Sequence, residues 1–183
     1  MPCVPRRQFF LLSLLITVAA SPVRAGVLHA RDEALAMAFP NGEEVRPLDF
    51  YLTPEQRSEI EQQARAKLES NLITVYAGYK DGRVTAYAIF DTHTVRTLPE
   101  TLLIVLTPTG TVRAVHLLAF YEPPEYAPPE GWLQKFVGAG RERRVELGRS
   151  VDAIAGSTLT SRAVASAVAR AVAVHSVLLS ERK

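Results

Sequence analysis

The feature that most constrains the fold is an unbroken apolar run, Leu102-Leu103-Ile104-Val105-Leu106. In an extended strand, successive side chains point to opposite faces of the sheet. A continuous run, rather than an alternating one, therefore predicts a central strand that is buried on both faces.

Two β-hairpins are predicted in this part of the chain. Leu72 to Tyr79 and Val84 to Asp91 are rich in β-branched and aromatic residues, and the Asp81-Gly82 pair between them favours a tight turn. Thr101 to Thr107 and Thr111 to Tyr121 form the second pair. The four strands predict a mainly antiparallel twisted sheet.

Two main helices are predicted to pack against this sheet. Thr53-Pro54-Glu55-Gln56 combines a Thr cap, a first-turn proline and a capping-box Gln, so we expect a helix over 53–70. The Ala/Val-rich segment 159–179 predicts a longer one. Residues 26–52 show no clear period, apart from a short helix near Ala34 to Phe39. The predicted class is a single α+β domain.

The first 25 residues predict an export signal rather than part of the fold. Arg6 and Arg7 precede an apolar run, and Val23-Arg24-Ala25 supplies small residues for cleavage after Ala25. The run is shorter than the roughly 18–20 residues of a membrane-spanning helix, with a retained anchor as the alternative. Either a Sec or a twin-arginine signal fits, and both predict a periplasmic protein. We therefore divide the chain into a signal (1–25), an N-terminal segment (26–71) and a main domain (72–183).

The composition of the mature chain excludes several kinds of site. Removal of residues 1–25 takes away three arginines, so the formal charge changes from +2 to −1, which gives no support to nucleic-acid binding. Cys3 is lost with the signal, so the mature chain has neither disulfides nor thiolate ligands. Four histidines lack the spacing of metal ligands and are interpreted as structural or surface residues: His29, His93, His116 and His175.

A hydroxyl-rich turn precedes the last predicted helix. It reads Asp152-Ala153-Ile154-Ala155-Gly156-Ser157-Thr158-Leu159-Thr160-Ser161. A glycine allows a tight turn and a close approach of a ligand to the backbone. A helix start offers unpaired N–H groups and the positive end of the helix dipole, which together favour phosphate. The turn predicts a site for a phosphorylated cofactor or, alternatively, a plain hydroxyl cap.

This stretch resembles the flavinylation motif of FMN-binding domains. Such domains occur in the C subunit of sodium-pumping NADH:quinone reductase and in the G subunit of the Rnf electron-transport complex. Their pattern is Asp-x-x-Ser/Thr-Gly-Ala-Ser/Thr, followed by x-Thr-Ser, and a flavin transferase outside the cytoplasm esterifies the last hydroxyl to FMN. The resemblance implies that Thr158 carries FMN covalently. Here Ala155 stands where the family has a hydroxyl and Ser157 where it has alanine, which makes Ser157 a rival acceptor.

The resemblance covers about residues 72–179. Glu122, followed by Pro123-Pro124, takes the place of a family glutamate before a proline-rich loop, and Trp132 to Phe136 takes that of a short helical stretch. The sequence itself predicts no catalytic residue and no metal ligand. The implied cofactor-binding residues are Asp152, Ala155, Gly156, Ser157, Thr158, Leu159, Thr160, Ser161 and Glu122.

Further aromatic and basic residues have two interpretations each. Tyr126 and Trp132 either stack near the flavin ring or serve as core and loop anchors. The basic segment Arg141 to Arg144 either contacts an anionic partner or the flavin, or is a solvated turn.

By this resemblance we expect an exported electron-transfer flavoprotein that exchanges electrons with a membrane-bound respiratory complex. No general acid–base pair is evident, so an electron carrier or a redox-complex subunit is favoured over a stand-alone enzyme. The main alternative is a non-redox exported domain that binds a phosphate-bearing ligand. A hydrolase built on Ser157 or Ser161 ranks lower because the Gly-x-Ser-x-Gly pattern is missing.

Overall fold

The computed structural model describes residues 26–27 and 31–180, so the predicted signal lies outside the described residues. Its frame is one antiparallel sheet with the strand order β1-β6-β5-β4-β3-β2. The strands are β1 (Gly26–Val27), β2 (Glu44–Tyr51), β3 (Leu72–Lys80), β4 (Arg83–Thr94), β5 (Pro99–Leu106) and β6 (Val112–Phe120). The helices are α1 (Arg31–Ala38), α2 (Pro54–Ala64), α3 (Glu130–Leu133) and α4 (Thr158–Leu178), with 3₁₀ turns at Pro124–Tyr126 and Gln134–Phe136. The predicted α+β class is confirmed.

Strand β5 lies inside the sheet, as its apolar run predicts. Leu102, Ile104 and Leu106 are fully buried in the core beneath α2 and α4. Leu103 and Val105 point to the other face, where they pack with residues of α1 in a second core. Alternate residues of β5 therefore pack against helices on opposite faces of the sheet.

The first hairpin has the predicted turn. Asp81 and Gly82 both adopt positive φ angles, 51° and 73°, as a two-residue hairpin turn requires. Strands β3 and β4 pair from Lys80–Arg83 to Val75–Ile89, whereas β4 pairs with β5 as far as Thr94–Pro99. The last residues of β4 thus diverge from β3 and open a cleft at that end of the sheet.

Helix α2 begins as predicted but ends at Ala64, well before residue 70. Thr53 and Gln56 form both hydrogen bonds of the capping box. Arg65 then takes a left-handed conformation (φ 53°), and its N–H bonds to the carbonyl of Glu61, which ends the helix. The Glu61 carboxylate also accepts the Leu68 N–H at 3.1 Å, so the following residues form a stabilised turn instead of more helix.

The N-terminal segment contributes a strand that the sequence did not indicate. Strand β2 pairs with β3 along its whole length at the edge of the sheet. Its side chains are exposed or partly exposed, and it contains Pro47, which an edge strand tolerates. Within residues 26–27 and 31–180, no helix combines the length and apolar character needed to cross a membrane.

Candidate functional site

The hydroxyl-rich stretch forms a tight turn that leads directly into α4. The Ser157 N–H donates to the carbonyl of Ile154 at 3.0 Å, and Gly156 has a φ of 78°. A side chain is unfavourable at this angle, so the glycine is needed for the turn. Helix α4 starts at Thr158, one residue earlier than predicted.

Two of the four hydroxyls are engaged in holding this turn. Ser161 is fully buried; its Oγ donates to the Ser157 carbonyl at 3.0 Å and accepts the Ile154 N–H at 2.9 Å. Thr160 is 1% exposed and donates to the carbonyl of Tyr126 at 2.9 Å. These two residues therefore fix the turn to the helix and to the neighbouring loop.

The other two hydroxyls differ in exposure. Ser157 precedes the helix without capping it through its side chain, and it is only 4% exposed. Thr158 is exposed at the first helical position. Of the two, Thr158 is thus the hydroxyl that an external enzyme can reach.

An open cavity of about 250 Å³ lies in front of this helix start. Its walls come from three parts of the chain that are distant in sequence. The lining residues are Val95, Arg96, Glu122, Tyr126 and residues 156–160. The cavity thus brings together most of the predicted site residues, and it adds Val95 and Arg96, which carry no motif in the sequence.

The cavity offers donors that suit a phosphate group. The N–H groups of Thr158, Leu159 and Thr160 have no acceptor within the described residues, because α4 has no side-chain cap. They lie at the positive end of the helix dipole, and the exposed guanidinium of Arg96 contributes a full positive charge. The residues present therefore fit the phosphate end of FMN.

Glu122 shapes the cavity rather than offering a free carboxylate. Its Oε1 accepts the backbone N–H groups of Arg96, Thr97 and Leu98 at 3.1, 2.6 and 2.8 Å. The hydrogen bonds from Thr97 and Leu98 lower the pKa of Glu122, so it is an anion at neutral pH. This carboxylate holds the turn that carries Arg96 against the cavity.

Several candidate residues lie outside the cavity lining. Asp152 is exposed, and its carbonyl accepts the indole N–H of Trp132 at 2.7 Å. Trp132 is buried against Phe136, and their ring centroids are 5.0 Å apart. Of its two interpretations, Trp132 therefore has that of a core residue rather than of a flavin-stacking residue. Ala155 is exposed in the turn and does not line the cavity.

The basic residues and one histidine also lie elsewhere. Arg141 and Arg144, with Arg65, border a separate small groove against α4. His175 is buried and its Nε2 lies 3.1 Å from the Pro108 carbonyl. Burial lowers the pKa of His175, so the neutral ring donates this hydrogen bond.

Comparison with known proteins identifies the family. The sequence profile described as the FMN-binding domain matches residues 70–173, more than half of the chain. The chain therefore belongs to the FMN-binding domain family, and FMN is its cofactor. A search of curated proteins found no match. Among solved structures, NqrC of Shewanella oneidensis is similar, with 18% identity and a TM-score of 0.49, over 68% of this chain and 76% of that chain.

Proposed function

We propose that this chain is an exported electron-transfer flavoprotein with one FMN esterified to Thr158. The observation that carries the proposal is the position of this hydroxyl. It is exposed, lacks a hydrogen-bond partner in the described structure, and borders the cavity at an uncapped helix start. An esterified phosphate keeps a negative charge, which the N–H groups of the first turn stabilise.

The choice of Thr158 over the other hydroxyls follows from their contacts. Thr160 and Ser161 donate hydrogen bonds that hold the turn, so modification of either would disrupt the wall of the cavity. Ser157 is nearly inaccessible to a second protein. A flavin transferase, which we propose as the maturation partner, requires an accessible hydroxyl.

The chain's own residues would hold the cofactor in a partly enclosed state. The N–H groups of residues 158–160 and Arg96 would bind the phosphate, and Tyr126 gives the cavity an aromatic wall. The cavity is smaller than the roughly 300–1,000 Å³ typical of pockets that enclose a whole ligand. Bound FMN supplies the electron-accepting and electron-donating chemistry. Partial exposure suits a carrier that exchanges electrons with a partner protein.

The location and the partner are further parts of this proposal. Residues 1–25 have the charge and apolar pattern of an export signal, which supports a periplasmic or membrane-associated protein. A membrane-bound respiratory complex is proposed as the electron donor or acceptor. The absence of an evident acid–base pair in the sequence supports a relay role rather than independent turnover.

The covalent link is tested by co-expression of the full chain with a flavin transferase. We expect an intact mass higher by FMN minus one water, and flavin fluorescence that persists on a denaturing gel. Thr158→Ala should lose both signals completely, whereas Thr158→Ser and the matched control Ser157→Ala should keep them. A fluorescent Thr158→Ala protein and a colourless Ser157→Ala protein would move the acceptor to Ser157. An unmodified wild-type chain beside an active transferase would refute the covalent proposal.

A further inference from the structure

A buried cluster of four charged side chains lies between the sheet and α4. Asp91 and His93 come from β4, Glu100 from β5 and Arg170 from α4. Glu100 is fully buried, and His93 and Arg170 are each 7% exposed. Charged groups at such depth are rare unless they are paired.

The cluster is tightly bonded around Asp91 and His93. Arg170 donates two hydrogen bonds to the Asp91 carboxylate, at 2.8 and 2.6 Å. The His93 ring places Nδ1 2.8 Å from Asp91 Oδ1 and Nε2 3.1 Å from Glu100 Oε2. Because both ring nitrogens face carboxylate oxygens, the ring is an imidazolium that donates on both sides. Although burial lowers the pKa of His93, these hydrogen bonds outweigh it and raise the pKa to about 9.

One atom of the cluster has no partner. Glu100 Oε1 is buried and lacks a hydrogen bond within the described part of the chain. An ionised carboxylate with a bare buried oxygen is costly, so burial raises the pKa of Glu100. With Glu100 protonated, the cluster carries one net positive charge; with Glu100 ionised, it is neutral. Protonation of Glu100 alone therefore changes the charge of the cluster by one.

The cluster lies between the cofactor cavity and a second opening. His93 and Glu100 face each other in the β4–β5 ladder, and the turn that joins these strands supplies Val95 and Arg96 to the cavity. On the other side, Asp91 and Arg170 line the open cleft of about 450 Å³ where β3 and β4 diverge. This cleft gives solvent protons a route to the cluster.

The charged groups that act on Glu100 are all members of the cluster. His93 and Asp91 face it from β4, and Arg170 of α4 contacts both of these residues. The other neighbouring strand, β6, places Phe120 opposite Glu100. The direction of the Glu100 pKa shift is thus explained by burial and by members of the cluster.

We propose that Glu100 and His93 form a proton-storing pair that takes up a solvent proton when negative charge arrives in the cofactor cavity. The proposal rests on the proposed function, in which a redox partner delivers the electron. The electron remains in the cavity, and one proton enters through the cleft and forms an O–H bond on Glu100. Charge is balanced, and no protein bond breaks. Both residues are charge-compensating groups, not catalytic ones.

The expected coupling is small but measurable. A strand rises about 3.3 Å per residue, so His93, two residues from Val95, lies within about 10 Å of the cavity wall. One unit charge at about 10 Å, in an effective dielectric of about 20, shifts a pKa by about one unit. By thermodynamic reciprocity, protonation of the pair must favour the reduced cofactor by the same factor of about 10.

The first test needs no flavin. Infrared spectra of the full chain without cofactor, recorded over a series of pH values, should show the carbonyl band of one carboxylic acid that stays protonated where ordinary carboxyl groups are ionised, and that loses its proton as the pH rises further. Glu100→Gln should abolish this band, and the control Glu125→Gln, which removes an exposed carboxylate, should retain it. A band that disappears together with those of the ordinary carboxyl groups, or one that persists at every pH, would overturn the proposal, whatever the fate of the flavin.

The second test measures coupling in the flavinylated chain. The midpoint potential of the wild type and of Glu125→Gln should fall more steeply with pH than that of Glu100→Gln. In the wild type alone, an NMR titration should place the His93 pKa about one unit higher in the reduced than in the oxidised protein. Identical slopes and an unchanged His93 pKa would refute proton storage while leaving the flavoprotein function intact. An unflavinylated chain that keeps the carboxyl band would instead refute only the covalent function.

Discussion

The alkaline stability of this protein should depend on His93. The pKa of His93 rises from 6.5 to about 9 in the folded state, because its hydrogen bonds with Asp91 and Glu100 outweigh the effect of burial. Each pKa unit corresponds to about 1.4 kcal/mol, so the shift contributes about 3 kcal/mol to stability. A raised folded pKa means that this contribution is complete below about pH 6.5 and is lost as the pH rises through about 9.

Urea unfolding at a series of pH values measures this contribution. The free energy of unfolding of the wild type should fall by about 3 kcal/mol between about pH 6 and pH 10. The best comparison is the double variant His93→Gln/Glu100→Gln, because loss of His93 alone would leave Glu100 buried without its partner. The double variant should lose less than about 1 kcal/mol over the same range. If both proteins lose the same free energy, the buried imidazolium does not stabilise the fold and the reasoning fails.

Two further substitutions test the backbone. Gly110→Ala should destabilise the fold by about 2–4 kcal/mol, because φ is +82° and the new Cβ would lie 2.3 Å from Nδ1 of the buried His175 ring. Gly148→Ala, with a similar φ and nothing within 4 Å, should cost only about 1–2 kcal/mol in the same thermal-unfolding assay, and equal losses would contradict the steric argument. Thr53→Ala removes the Oγ1 that accepts the Gln56 N–H and should cost about 1 kcal/mol in urea unfolding; an unchanged midpoint would show that the cap is dispensable.

The elements that the sequence predicted are those whose signals are local. The run Leu102–Leu106 is apolar at every position, and the structure buries all five residues. The Asp81-Gly82 turn and the Thr53 capping box are defined by residues only a few positions apart. Such signals do not depend on the rest of the fold, so a single sequence is enough to detect them.

Strand β2 and the end of α2 were not predictable in the same way. Strand β2 lies at the edge of the sheet and buries no side chain fully, and only Leu48 and Phe50 of it alternate toward the core, which is too short a pattern to predict a strand. Helix α2 ends because Arg65 adopts a left-handed backbone conformation. This conformation is uncommon for arginine, so the residue type does not predict it. The strand is decided by pairing with β3, and the end of α2 by a backbone conformation at one residue.

The buried cluster shows the same limit for charged residues. Arg162, Ser166 and Arg170 are spaced by four residues in α4, which predicts one polar stripe, but Arg162 is exposed whereas Arg170 is buried. Arg170 is buried because it meets Asp91, which lies 79 residues earlier in the chain. A stripe predicted from helical spacing says nothing about which of its members finds a partner in the sheet.

In the cavity at the start of α4, the side chains that hold the walls together differ from the hydroxyl that is left exposed. The Glu122 carboxylate is bonded to the turn at residues 95–98, and the Thr160 hydroxyl is bonded to the carbonyl of Tyr126. In both contacts, a side chain of one segment binds the backbone of another segment. The walls of the cavity are therefore held together by the protein alone. Thr158, in contrast, has its hydroxyl exposed and unbonded in the described structure. Because its walls need no ligand, the cavity is already shaped before any ligand enters, and little ordering would oppose the proposed binding of FMN there. This division explains why the motif around Thr158 was evident in the sequence, whereas the walls become visible only in the folded chain.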